Sequence, residues 1–353
     1  MNTESRADSL RSSCRISGPG ELLQAIPYLL GFHPAESLVL VGLHDGRLVV
    51  TARVDLIDAS TPEMVSHTLD AMVRGGSTSV LAAIYDDSFI ADRFIPLHVP
   101  DVLVAAERAG CELLEVLVVS AGRWWSVLCE PGCCPPEGRA LPSEPSAFAV
   151  AATFDGVVAM PDRAALASVL DPVGTVERVA LLPLLAAAER VADTAAANGQ
   201  GERLERSVKR ALFAAARASG APGWAGPEEA TVARFGAALA TAEVRNRVWM
   251  AVDDGRLDGR PLWRDLGRRL PPPYDAAPLF LFGWAAWRSG DGTLAGIAAE
   301  RAVASDPDCS VADLLLAALS HGLDPRRFPK LRPPVATTRP RGAGPAEAAR
   351  RAR

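Results

Sequence analysis

The spacing of apolar and polar positions changes character part-way along the chain. In the front part, short apolar runs with a two-residue repeat alternate with helical stripes. Pro19, Gly20 and Glu21 suit a helix start, and Leu22, Leu23, Ile26, Leu29 and Leu30 fall on one side before Gly31, with Pro27 expected to kink or divide the segment. Residues 37–43 read as a buried strand. Asp45 and Gly46 then form a two-residue hairpin signal, because both tolerate positive φ. The return strand, 48–56, puts Leu48, Val50, Ala52, Val54 and Leu56 on one face and Val49, Thr51, Arg53 and Asp55 on the other. Thr61 and Pro62 open a helix that Gly75 and Gly76 close, and strands at 79–85 and 113–119 flank a helix within 97–109. That succession needs a crossover, so the two strands should be parallel. Ala121 and Gly122 turn the chain into a further strand at 123–128. The front of the chain is thus an α/β domain with a mixed sheet, parallel strands plus hairpins.

From about residue 162 only the helical period remains. Helices are expected near 162–170, 176–197, 202–219, 227–240, 242–252, 261–270, 276–289, 293–305 and 310–321, separated by Gly, Pro and Asp. The second part is therefore all-α, a helical bundle or a repeat-like domain. The division expected is a disordered N-terminus at 1–15, an α/β domain at 16–145 with a Cys- and Pro-rich loop at 129–145, a connecting segment at 146–161, an all-helical domain at 162–328 and a disordered basic tail at 329–353.

The 353 residues, 49% of them apolar, suffice for two ordinary domains with a buried core. The net charge of −5 hides a split. Residues 325–353 hold nine Lys or Arg and one acid, or +8, which leaves −13 on the rest. All but two of the basic residues are Arg, so the Arg bias reads as genomic composition and not as a nucleic-acid signal. The first fifteen residues lack a secretory apolar segment, and no apolar run reaches the roughly 18 residues of a membrane helix. A cytoplasmic protein with no membrane association is expected.

Six cysteines are too sparse for a disulfide scaffold, but three of them, Cys129, Cys133 and Cys134, lie in one short loop. They are candidates for metal or redox chemistry, with zinc the metal if one binds, and packed structural thiols are the competing reading. The C-x3-C spacing with a vicinal cysteine departs from C-x2-C, and no second pair completes the set, so no cofactor is predicted outright. At the ends of the parallel strands, Asp86, Asp87 and Arg123, which Arg53 and Asp55 on a shared strand face could join, are candidate ligand-binding residues. The histidines at 33, 44, 67, 98 and 321 show no metal spacing, and neither a phosphate-binding GxxxxGK[ST] nor a GxSxG elbow occurs. Trp124 and Trp125 alternate across a strand, so one should be core and the other is free to form a surface.

The run 22–41 (LLQAIPYLLGFHPAESLVLV), the segment Arg53-Val-Asp-Leu56, and Gly122-Arg-Trp-Trp-Ser126 followed by Cys129 and Cys133-Cys-Pro-Pro-Glu-Gly138 together resemble one bacterial, mainly actinobacterial, family, domain of unknown function 4192. The resemblance spans roughly 16–325, including Leu281-Phe-Gly-Trp-Ala-Ala-Trp-Arg-Ser-Gly-Asp-Gly292. It implies the two-part organisation and a cytoplasmic bacterial setting, and carries no reaction, cofactor or catalytic residue with it. A second resemblance is local. Across 276–309, Leu279, Phe282, Gly283, Ala295, Ala302 and Pro307 are similar in spacing to a single tetratricopeptide helix hairpin.

The first functional expectation is a non-enzymatic binding or scaffolding module that uses its helical domain, with a protein partner. The alternative is a small-ligand enzyme or sensor with a polar pocket at the strand ends. Nucleic-acid contact through the basic tail is a third and weaker reading, since no aromatic residue follows Phe328 to stack bases.

Overall fold

A computed structural model describes residues 16, 18–59, 61–88, 98–130 and 133–331. The expectations for 1–15 and 332–353 lie outside the described residues. Helix α1 (Pro19–Leu30) leads into strands β1 (Ser37–His44) and β2 (Arg47–Asp55), the short helix α2 (Leu56–Ala59), α3 (Pro62–Arg74), β3 (Ser79–Tyr85), α4 (Val99–Ala109), β4 (Glu112–Ser120), β5 (Arg123–Ser126) and β6 (Arg139–Ala140). The six strands form one sheet in the order β2-β1-β3-β4-β5-β6. Only β3 and β4 run parallel, joined through α4, and every other pairing is antiparallel. Asp45 and Gly46 both take positive φ, 50° and 70°, as do Ala121 and Gly122 at the β4–β5 turn, 47° and 74°. These values match the tight turns that the right-handed twist of paired strands favours.

Helix α1 is not divided at Pro27. That proline gives up one hydrogen bond, but Leu22, Leu23, Ala25, Ile26, Pro27 and Leu30 are all buried, and Gly31 ends the helix in the left-handed region. Packing outweighs the missing bond.

Helices α5 (Ala147–Phe154) and α6 (Arg163–Ala167, continued as a 3-10 turn to Leu170) precede α7 (Thr175–Ala180), α8 (Leu182–Ala197), α9 (Gly201–Ala218), α10 (Glu229–Ala240), α11 (Ala242–Asp253), α12 (Arg260–Arg269), α13 (Ala276–Arg288), α14 (Gly292–Ser305) and α15 (Ser310–Ser320). The segment 146–161, expected as a connector, contains α5, whose first turn is capped by Ser146 Oγ accepting from Ala149 N. The helical part also runs a little further than 328, since Lys330 and Leu331 bond to Asp253.

The two faces of the sheet are buried differently. Leu38, Leu40, Val54, Ala82, Ile84 and Val116 pack under α3 and α4. The opposite face, with Val39, Val41, Ala83, Leu117, Val119 and Trp124, belongs to the same apolar cluster as Leu170, Leu185, Trp263, Phe280 and Trp284 of the helical part. The cluster also contains Leu22, Leu23, Ile26 and Leu30 of α1 and Phe32, so apolar burial is continuous from this face of the sheet into the helical part.

Candidate functional site

The five strand-end candidates all lie at one end of the sheet, yet they do not converge. Arg53 pairs with Asp55 at 2.6 Å on the sheet edge, and its guanidinium sits 5.8 Å from the Phe32 ring centroid. Asp86 accepts from Ser88 N and Oγ, and Asp87 accepts from Ala121 N at 3.1 Å while its own N–H donates to Glu36. Both aspartates are thus engaged in holding loop backbone. Arg123, separated from Arg53 by three intervening strands, donates to the carbonyls of Glu137 and Gly138 and so braces the cysteine loop.

Arg53 and Asp55 line a cleft of about 1,060 Å³ between the two parts of the molecule. Its walls come from β2, α3, α13, α14 and the C-terminal segment, with His67, Arg288, Glu300 and Lys330 among the lining groups. The Nε of Arg53 is buried with no hydrogen-bond partner among the described residues.

Although the C-x3-C spacing with a vicinal cysteine departs from C-x2-C, the fold of the loop gathers the three thiols. Cys133 N donates to the Glu130 carbonyl, closing a turn that brings the Sγ atoms of Cys129, Cys133 and Cys134 within 4.8 Å of one another. Cys129 and Cys134 are 3.7 Å apart and none of the three is in a disulfide. The loop is clamped on several sides. Ser126 N donates to Cys134 Sγ, Cys129 N donates to Ser126 Oγ, and the Ser126 hydroxyl donates to Glu115. Arg139 donates to the Cys133 carbonyl, and Trp125 Nε1 to that of Pro136. Trp124 is core and Trp125 covers Gly138, where a Cβ would stand 2.5 Å from the indole. The hydrogen bond from Ser126 pulls the Cys129 thiol below its ordinary pKa. The Cys133 thiol is pushed up, first by its hydrogen bond with Cys129 and then by the charge there.

A third feature was not singled out from the sequence. Arg203, Arg206, Arg210 and Arg217 recur along α9 at helical spacing with Phe213 between them, opposite the buried Val208, Leu212 and Ala216. They form one wall of a groove of about 650 Å³ whose floor includes Phe213, Met250 and Leu331 and whose far side, on and after α11, carries Arg247 and Arg256. Arg206, Lys209, Arg247 and Arg256 each pair with a nearby carboxylate. Arg203, Arg210 and Arg217 have no ion-pair partner among the described residues, and Arg217 lies 5.9 Å from the Phe213 ring centroid. The i, i+3, i+7, i+14 repeat was the available signal. The second wall, brought by α11, could not be read from local spacing.

The sheet backed by helices and the clamped cysteine loop correspond to the segments that carried the family resemblance. Residues 19–326 match the family described as Domain of unknown function (DUF4192), and the chain belongs to that family. No curated protein and no solved structure matches it.

Proposed function

We propose that the protein is a binding module of the bacterial cytoplasm whose docking face is the basic groove between α9 and α11, and that its partner presents an acidic, partly apolar polypeptide segment. The observation that carries this is the stripe of Arg203, Arg210 and Arg217, uncompensated among the described residues, beside Phe213. Guanidinium groups recognise carboxylates by paired N–H donors, and an apolar floor adds area that a purely electrostatic patch lacks. Residues 1–324 carry −13, so an acidic partner is repelled by most of the surface and drawn to this groove, which orients it. Leu331 lines the groove, and the sequence that follows it, outside the described residues, holds six Arg and one Glu. The tetratricopeptide-like hairpin is not used as the docking face in this reading. Gly283 lets α13 approach Ala295 and Ala298 of α14, and Leu315 of α15, so its small residues serve internal packing. For the cytoplasmic setting, the support is that among the described residues no helix is long and apolar enough to cross a membrane, and that Cys111 and Cys309 are buried free thiols.

The test is fluorescence anisotropy with a labelled peptide repeating Glu-Glu-Leu, its Gln-Gln-Leu counterpart, and a single-stranded DNA of equal charge. Binding of the acidic peptide alone, weakened at least about tenfold by Arg203→Glu with Arg210→Glu, is expected. Equal or tighter binding of the DNA would redirect the groove to nucleic acid, and binding of neither would remove the proposal.

A second reading rests on the cleft between the sheet and the helices. The buried, unpartnered Nε of Arg53 suits a small anionic ligand there, in an enzyme or a sensor. A survey of small carboxylates and phosphates by thermal shift, with Arg53→Leu as control, tests it. A stabilisation that the variant abolishes would favour this reading over the first.

A further inference from the structure

We propose that Cys129, Cys133 and Cys134 form a mononuclear zinc site with three thiolate ligands and a fourth position open to solvent. Zinc–thiolate bonds of about 2.3 Å in a tetrahedron place sulfur atoms about 3.8 Å apart. Cys129 and Cys134 already stand at 3.7 Å, and the whole triplet lies within 4.8 Å. A disulfide needs about 2.05 Å between sulfurs, so the 3.7 Å spacing suits a shared ion better than a bridge.

The surroundings supply what a thiolate site needs beyond its ligands. Ser126 N–H already donates to Cys134 Sγ at 3.4 Å, a bond that strengthens when the sulfur becomes anionic. Ser126 is itself fixed by its hydroxyl on Glu115 at 2.9 Å, and sits on β5 next to the central strand β4. Arg139 holds the Cys133 carbonyl at 3.0 Å, which places a positive charge beside a cluster whose three thiolates and one Zn²⁺ sum to −1. Cys133 is exposed, so its side chain can swing the remaining distance of about 1 Å without disturbing the core. Binding displaces the thiol protons: three R–SH and Zn²⁺ give the tris-thiolate complex and three H⁺, with no change of oxidation state.

Among the described residues no fourth Cys, His, Asp or Glu joins the group. Structural zinc sites close all four positions with protein atoms, whereas an open position leaves room for water or an incoming ligand. The site is therefore an exchangeable one on the surface, separate from the basic groove.

The experiment is a Co²⁺ titration of the full chain purified under reducing conditions, followed by Zn²⁺ displacement. One equivalent should bring up sulfur-to-cobalt charge transfer in the near ultraviolet with visible bands of tetrahedral intensity, and one equivalent of Zn²⁺ should abolish both. Zn²⁺ should also protect three thiols from alkylation. Cys129→Ser, Cys133→Ser and Cys134→Ser should each weaken binding at least about tenfold, and Cys309→Ser should not. Because Cys133 is exposed, its variant reports on the site and not on folding. Absence of the charge-transfer band, three freely alkylated thiols in the presence of Zn²⁺, or recovery of a Cys129–Cys134 disulfide as the stable reduced-buffer species would overturn the proposal. None of these outcomes bears on peptide binding in the groove.

Discussion

Asp253 and Arg288 meet at 3.1 Å with the aspartate side chain wholly removed from solvent and the arginine nearly so. The same carboxylate accepts from Trp284 Nε1 at 3.0 Å and from Leu331 N at 2.6 Å, while its backbone carbonyl accepts from Lys330 at 2.6 Å. Arg288 in turn donates to the carbonyls of Pro325 and Phe328. One carboxylate thus ties the end of α11 to α13 and to the C-terminal segment.

Removing one partner of such a pair leaves the other charged and buried. Asp253→Ala is expected to cost about 3–5 kcal/mol in urea denaturation, whereas Asp253→Leu combined with Arg288→Leu should cost less than either single change. Trypsin should also cut after Lys330 faster in the single variant, because the segment has lost its anchors.

Gly138 has φ 74° and packs under Trp125, so two independent obstacles oppose any side chain there. Gly138→Ala should destabilise the β5–β6 loop by about 1–3 kcal/mol. The readout closest to the site is thiol chemistry: alkylation of Cys129 and Cys134 should accelerate while that of buried Cys111 does not.

Tyr274 donates its hydroxyl to Glu189 at 2.6 Å, and that bond, with burial and the glutamate charge, pushes its pKa from 10.0 to about 12. The protonated form is the one the fold prefers. Its stabilisation is therefore fully present below pH 10.0 and is lost as the pH rises through about 12. The stability difference between the native chain and Tyr274→Phe should shrink over that window. Burial pushes Tyr85 up as well, so Tyr85→Phe should not alter the tyrosinate absorbance at about pH 10.5.

Leu117 lies at no exposure in the cluster that the sheet shares with the helices. Leu117→Ala should cost about 2–5 kcal/mol and should lower the midpoints followed by tryptophan fluorescence and by far-ultraviolet circular dichroism equally. Five of the seven tryptophans belong to the helical part, so two separate transitions would show that the shared cluster does not couple the parts.

The secondary structure was legible wherever period and punctuation agreed. Asp162 accepts from Ala165 N and Asp291 from Leu294 N, the capping chemistry that their positions before apolar stripes announce. Helix α5 escaped because Ala147–Phe154 is nearly all apolar and shows no stripe, leaving Ser146 as its one signal. Among the candidate groups, those close in sequence did meet, as Cys129, Cys133 and Cys134 show, whereas the strand-end set spread over the sheet did not converge. Asp86 and Asp87 satisfy backbone donors, Arg123 serves the cysteine loop, and the guanidinium stripe on α9 was hidden inside a chain rich in arginine throughout. Such gatherings depend on which helix packs beside which, and that is decided by long-range burial.

Because Val39, Val41 and Leu117 are buried in an apolar cluster that runs on through α1 into the helical part, a cut between the parts would open that cluster. A recombination event that moved the sheet into another protein would strand a greasy surface, and one that moved the helices would open their centre. The family match likewise runs without a break through both parts, from residue 19 to residue 326.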